Sequence, residues 1–188
     1  MIKWLLSPAM TTSAFFLDFY VYPALAVFCF GVAALDTGWL QAVALAGFGY
    51  VSWTLLEYIV HRFALHHLPW FSGLHHVHHA SPGVYVGTPT LVSLAIFYAV
   101  GYAPAAFVLG RGSAAGWLSG VLLGYLSYVV AHWAVHHVST RRWRYLRRLK
   151  RQHAVHHHLS QEMNFGVTTD LWDRVFGTLA PPSQPRPR

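Results

Sequence analysis

Fourteen of the 188 residues are histidine, more than twice the six acids. They lie in three stretches: seven between 61 and 79, three between 132 and 137, and four between 153 and 158. Neutral imidazole is a common transition-metal ligand. Ten of these rings fall in ligand-like spacing: His61 with His66; His75, His78 and His79; His132 with His136; and His153, His156 and His157. Residues three or four apart share a helix face, so His132 and His136 can grip one ion, and each triple forms a compact cluster. His61 and His66 differ, because five residues is about 140° beyond a full helical turn. Either the helix is broken there or the two rings point at different ions. A single histidine at a membrane interface is as readily an amphipathic residue with a wet tip. Burying ten without partners would cost roughly 1–3 kcal/mol each, so the set is expected to bind metal. Ten are too many for one ion and fit two with about five each. His67, His76, His137 and His158 fall outside the pattern and read as neighbours. The single cysteine, Cys29, excludes an intramolecular disulfide and a four-cysteine metal site.

The elements that position these rings must be apolar. Hydrophobic residues make up 55% of the chain and charged ones 10%, with a mean hydropathy of +0.38. That is too apolar for an ordinary soluble domain. The long apolar runs are about 12–35, 39–60, 91–109 and 114–138. Each is long enough for a membrane span. Short turns at Asp36-Thr37-Gly38 and Gly110-Arg111-Gly112-Ser113 join them into two hairpins. The first run exceeds a signal peptide's apolar core and leads straight into another span. Cations near span ends stay cytoplasmic, and seven lie between 141 and 151: Arg141, Arg142, Arg144, Arg147, Arg148, Lys150 and Arg151. Lys3 and Arg62 agree, while Arg111 dissents. The expected fold is an all-α, multi-pass integral membrane protein with four transmembrane helices in two hairpins. A cytoplasmic helical cap carries the dimetal histidine site, and both termini lie on that side.

The net charge of +7 invites a nucleic-acid reading. The basic segment, however, abuts a span and carries Trp143, Leu146 and Leu149, which suits a helix lying on anionic headgroups better. No nucleic-acid partner is expected. Residues 1–180 read as one domain, and the Pro/Arg-rich 181–188 as a disordered tail.

At the histidines the chain resembles the fatty acid hydroxylase and sterol desaturase superfamily of membrane dimetal oxygenases. Its succession of HxxxxH or HxxxH, HxxHH, HxxxH and HxxHH is met in order. W-T-L-L-E-Y-I-V-H-R-F before the first group, G-T-P-T after the second and N-F-G-V-T-T-D-L-W-D-R-V-F-G-T from Asn164 to Thr178 agree. The resemblance covers about residues 50–180 and is greatest to the fatty acid 2-hydroxylase branch and its small bacterial relatives. It departs at Val129, where that branch usually has aspartate after the tyrosine matching Tyr128. The stretch after the second histidine group is also shorter than in the eukaryotic hydroxylases and lacks their arginine. No cytochrome b type electron-carrier domain precedes the spans.

The resemblance implies oxidoreductase chemistry, and the ligand set implies redox metal. A structural zinc site closes with four ligands. Two open-sited iron ions can reduce dioxygen and attack an unactivated C–H bond. Iron is the expected metal, with zinc possible in purified samples, and dioxygen is the co-substrate. The expected reaction is hydroxylation of a membrane lipid or fatty acyl chain, with electrons from a separate donor protein. Desaturation, or a sterol or carotenoid substrate, is the alternative. A metal transporter is more remote, because transport needs polar groups along a path near the midplane. Carboxylates should orient and balance the ligands. Glu57, one turn before His61, and Asp170 are favoured, with Asn164 and Tyr128 as further orienting candidates. Asp173 reads as an ion-pair or cap residue. Asp18, inside or at the edge of the first span, reads either as a functional intramembrane acid or, as the favoured reading, as reaching headgroup water.

Overall fold

The structure is a computed structural model that describes residues 10–181. Lys3 and tail residues 182–188 lie outside them. All regular structure among the described residues is helical. Four stretches are long and apolar enough to cross a membrane: Thr12–Thr37, Trp39–Leu65, Thr90–Leu109 and Arg111–His137.

The first span comprises α1 (Thr12–Phe16) and α2 (Asp18–Thr37), and the second begins with α3 (Trp39–Ile59). One residue separates α2 from α3: Gly38, at φ +87°. The third span is α5 (Thr90–Ile96), a π-helical turn over Phe97–Tyr102, and α6 (Ala103–Leu109). Pro104 follows that turn and has no N–H to give, so the backbone ladder there is forced out of α register. Gly110, at φ +84°, leads directly into α7 (Arg111–His137). A side chain at either hinge glycine would be strained. The hairpin turns are thus tighter than expected, one residue each. They lie side by side, Asp36 seated against Gly112.

α7 is the axis. Of its apolar window 56% is buried, against 6% for the third span, and it packs along both α2 and α3. Gly112, Gly116, Gly120 and Gly124 recur every fourth residue on one face of α7. A Cβ at Gly120 would collide with the Ala46 carbonyl of α3, and one at Gly49 of α3 with that of Trp117. Spans lack the hydrophobic drive that packs soluble helices, so they associate through such small-residue faces, which let backbones touch. Beyond the spans lie α4 (Pro69–Ala80), α8 (Arg144–His158) and α9 (Leu171–Val175). α4 and α8 carry the remaining histidines. α8 is strongly amphipathic, with Leu149, His153 and His156 buried and Arg144, Arg147 and Arg151 exposed.

Candidate metal centre

The ten patterned histidines converge on two points. His61, His66, His75, His79 and His156 form one cluster, and His78, His132, His136, His153 and His157 the other. Within each, one nitrogen per ring lies within 4.8 Å of all the others.

Two features of this arrangement differ from the sequence reading. His61 and His66 face the same point on an unbroken helix. Residues Val60–Leu65 are π-helical, which widens the turn to i→i+5 bonding and brings a five-residue spacing back to one face. Neither triple is a cluster of its own. His75 and His79, four apart on α4, join the first cluster while His78 joins the second; on α8, His153 and His157 join the second and His156 the first. Each cap helix therefore serves both points, and the clusters abut where the His79 and His157 rings stack at 4.2 Å.

The ring contacts cannot all be hydrogen bonds. His75 Nε2 lies 3.1 Å from His61 Nε2, 3.2 Å from His66 Nε2 and 2.9 Å from His79 Nε2. One imidazole nitrogen is either a single donor or a single acceptor, so three such neighbours leave lone pairs facing each other. His61 Nδ1 donates to the Phe165 carbonyl at 2.5 Å, and His156 Nδ1 donates to that of Met163 at 2.8 Å. A carbonyl only accepts, so both Nδ1 atoms carry the proton and both Nε2 atoms keep the lone pair. In the second cluster Nε2 pairs meet at 2.9 Å (His132 and His78) and 2.8 Å (His136 and His153). His153 Nδ1 and both nitrogens of His157 are buried without a protein partner among the described residues. Lone pairs converging on two points suit a pair of cations, and the residues fit that load. Burial, joined by repulsion between neighbouring rings, lowers His66 to about 4, His78 and His79 to about 3, and His157 to about 2. These rings are neutral and ligand-competent at pH 7.

The loop that orients the first cluster hangs from two carboxylates. Asp173 accepts the backbone N–H of Phe165 and of Gly166, both at 2.9 Å, and the Thr178 hydroxyl at 2.7 Å. Glu57 accepts the N–H of Val167 at 2.6 Å, that of Thr168 at 2.8 Å, and the Thr168 hydroxyl at 2.5 Å. Four consecutive amides are thus held, which turns the Phe165 carbonyl onto His61. Glu57 reaches His61 through this loop, with no ring contact among the described residues. Burial raises Asp173 above the usual carboxylate range, its three hydrogen bonds and the charge of Arg62 opposing that rise.

The other sequence candidates are placed as follows. Asp170 pairs with Arg148, with Arg174 at 2.9 Å, and accepts from Gln152 Nε2 at 2.9 Å, which fixes α8 beside His153. Asn164, at φ +57°, donates to the Gln152 carbonyl and accepts from Ala180 N–H. The Tyr128 ring stacks on His132 at 5.6 Å. His67, His76, His137 and His158 are exposed and belong to neither cluster. The carbonyls of Phe165 and Met163 were invisible to sequence reasoning, which registers side chains. The motif N-F-G-V-T-T-D was the one available signal. Asp18 is also corrected: it is buried, accepting from Thr90 and Tyr125, because it faces inward between spans and not toward headgroups.

Beside the clusters is a mainly apolar cavity of about 160 Å³. His61, His75, His78 and His132 form part of its wall, with Phe15, Leu65, Phe71, Leu74 and Val129 among the apolar lining and Asp18, Tyr125 and Tyr128 among the polar.

Residues 46–178, most of the chain, match the family model described as fatty acid hydroxylase. The chain belongs to the fatty acid hydroxylase family. Among relatives in this family, the dihydroceramide fatty acyl 2-hydroxylase FAH2 of Arabidopsis thaliana is 33% identical over 151 residues, covering 74% of this chain and 62% of its own length. Fatty acid 2-hydroxylase of Rattus norvegicus is 35% identical over 147 residues (71% of this chain, 38% of that protein). The ceramide very long chain fatty acid hydroxylase SCS7 of Saccharomyces cerevisiae is 34% identical over 174 residues (85% and 44%). The chain therefore spans from about two fifths to three fifths of the length of these relatives. A solved structure described as full length scs7p, with only the hydroxylase domain visible, superposes with a TM-score of 0.81 at 28% identity, covering 93% of this chain and 70% of that one.

Proposed function

We propose that the chain is a dioxygen-dependent hydroxylase of a membrane lipid or fatty acyl chain, working with two metal ions, iron by expectation. The observation that carries this reading is the double focus of imidazole lone pairs opening onto an apolar cavity. His61, His66, His75, His79 and His156 would hold one ion, and His78, His132, His136, His153 and His157 the other. Such a pair, when bound, supplies activation of dioxygen and an oxidant strong enough for an unactivated C–H bond.

The chain's own residues do the rest. Phe15, Phe71, Leu74 and Val129 keep water from the reacting carbon and admit an apolar segment. The Phe165 and Met163 carbonyls hold the Nδ1 protons of His61 and His156, keeping each Nε2 a ligand. In the overall reaction C–H becomes C–OH, one oxygen atom entering the product and the other leaving as water, with two electrons and two protons consumed. A separate electron-donor protein supplies the electrons. The cations of 141–151 support a cytoplasmic position for the clusters and both termini. The similarity of the relatives, named for fatty acyl and ceramide hydroxylation, supports an acyl substrate. We also retain one domain to residue 180 with a short tail.

The test is iron-loaded protein with an electron donor under labelled oxygen gas. One labelled atom in the product and about two ions per chain are expected. Label entering from labelled water overturns the reading, and an unlabelled, unsaturated product replaces hydroxylation by desaturation. Sidedness is checked in a Cys29→Ala background: Thr37→Cys and Arg111→Cys should react with an impermeant probe only from outside the cytoplasm.

A further inference from the structure

The cavity wall carries one carboxylate from outside the family match, which begins at residue 46. Asp18 opens α2 and is 6% exposed. Two other spans hold it: Thr90 donates to Oδ1 at 2.6 Å, and Tyr125 donates to Oδ2 at 2.9 Å. A carboxylate offers about four acceptor positions, so two remain. Tying three spans together does not require a charge. Tyr22 and Ser93, one helical turn along the same two helices, make a neutral tie at 2.6 Å, and neither lines the cavity. Ionisable groups inside spans are costly and mark function by default. Asp18 is the less committed of the two carboxylates in this wall: Glu57 accepts three hydrogen bonds from Val167 and Thr168, and Asp18 accepts two.

The size of the cavity limits what Asp18 can read. About 160 Å³ is close to the roughly 150 Å³ apolar cavity that takes a benzene molecule. A whole acyl chain does not fit, and only the few carbons around the reacting bond do. A polar group beside Asp18 is therefore within a few bonds of the carbon facing His61 and His132.

We propose that Asp18 determines specificity: it accepts a hydrogen bond from a neutral donor of the substrate, a hydroxyl or an amide N–H, within a few bonds of the attacked carbon, and it disfavours the free acid. The free acid in its ionised form, a carboxylate, would set one acceptor-only group against another in a low-dielectric pocket. The assignment rests on the hydroxylase reading for the cavity being the substrate site.

Binding to the metal-loaded protein in lipid nanodiscs tests it, by titration with hexadecanoic acid as the free acid and three of its derivatives: the N-methylamide, the methyl ester and the 3-hydroxy methyl ester. The amide or the hydroxy ester should bind about tenfold or more tighter than the plain ester, the better of the two naming the donor, and the free acid should bind least well. Asp18→Leu should bring the donor-bearing probes down to the ester. Asp18→Asn keeps the shape and can keep both hydrogen bonds, and should relieve the free acid by about tenfold relative to the ester. Four equal affinities in the wild type overturn the proposal, as does a wild-type ranking that survives both substitutions. Should Asp18→Leu fail to assemble, Asp18→Asn decides alone, an unchanged deficit of the free acid overturning it. If the ranking is as expected yet no probe is hydroxylated by reduced protein under dioxygen, the hydroxylase reading falls and with it the reference to an attacked carbon, while recognition of the donor by Asp18 stands as a binding preference.

Discussion

In the first cluster His61 and His156 donate Nδ1–H to the carbonyls of Phe165 and Met163, leaving His79 Nδ1 without a protein partner, whereas in the second both His153 and His157 lack one at Nδ1 among the described residues. The two groups have the same number of rings and are braced in different ways. The first is set by a loop, itself suspended from Glu57 and Asp173. The second is set by ring against ring and by Tyr128 stacking on His132. Hydrogen bonds to the outer ring nitrogen fix tautomer and raise ligand basicity. The first site should therefore hold its ion more tightly, and damage to the 163–168 loop should reach it first.

The largest effect that tests this comes from the rings. His75→Ala and His78→Ala should each lower metal content from about two ions per chain to about one and reduce activity by more than about 100-fold, with His67→Ala and His158→Ala near wild type. Mass spectrometry of the intact protein gives the count, and two retained ions in either ligand variant contradict the assignment. Next is Glu57→Gln, which sets an NH₂ against N–H groups it should accept. A loss of about 10–100-fold in affinity is expected at the first site and little at the second, read by chelator competition as two separate phases. Equal weakening of both would erase the distinction drawn between them.

Acid acts on both sites. Folded His66 titrates near 4 and His78 and His79 near 3, all below the ordinary 6.5, burial being the main cause. The unfolded chain therefore binds more protons between these values, so stability of the metal-free protein is fully present above about 6.5 and falls as pH drops toward 4. Calorimetry in chelator should show Tm decreasing from pH 7 to pH 5, by roughly 2–4 °C per kcal/mol lost, and a flat or rising Tm contradicts it. The smallest effect is Tyr128→Leu, which removes a stack of about 0.5–1.5 kcal/mol. Affinity of the second site should fall by no more than about tenfold, with the first unchanged in the same competition assay.

The sequence carried the four apolar runs and the ten patterned histidines plainly, because hydropathy and ligand spacing are side-chain properties. It did not carry how the rings divide. His75, His78 and His79 look like one cluster on a helical wheel, and only the placement of α4 between two foci splits them. The π turn at Val60–Leu65 was hidden as well, since widening one turn leaves no composition signal. Glu57 was legible as a partner by its position one turn before His61. Its means of action was not, because the acceptors that orient the rings are backbone carbonyls. Asp18 was misjudged for the opposite reason: depth in the bilayer can be read from a run of residues, whereas the direction a residue faces depends on neighbours 70 and more positions away.

The division of each HxxHH motif between two foci also bears on biogenesis. The first focus needs His156, and the second needs four rings from 132 onward. The first cannot be complete before residue 156 is made nor the second before residue 157, although the first hairpin has by then been translated for some time. Both foci thus close only once α8 has been made and has arrived against α4. A chain stalled or cleaved before α8 holds His61, His66, His75 and His79 as an unfinished four-ring set.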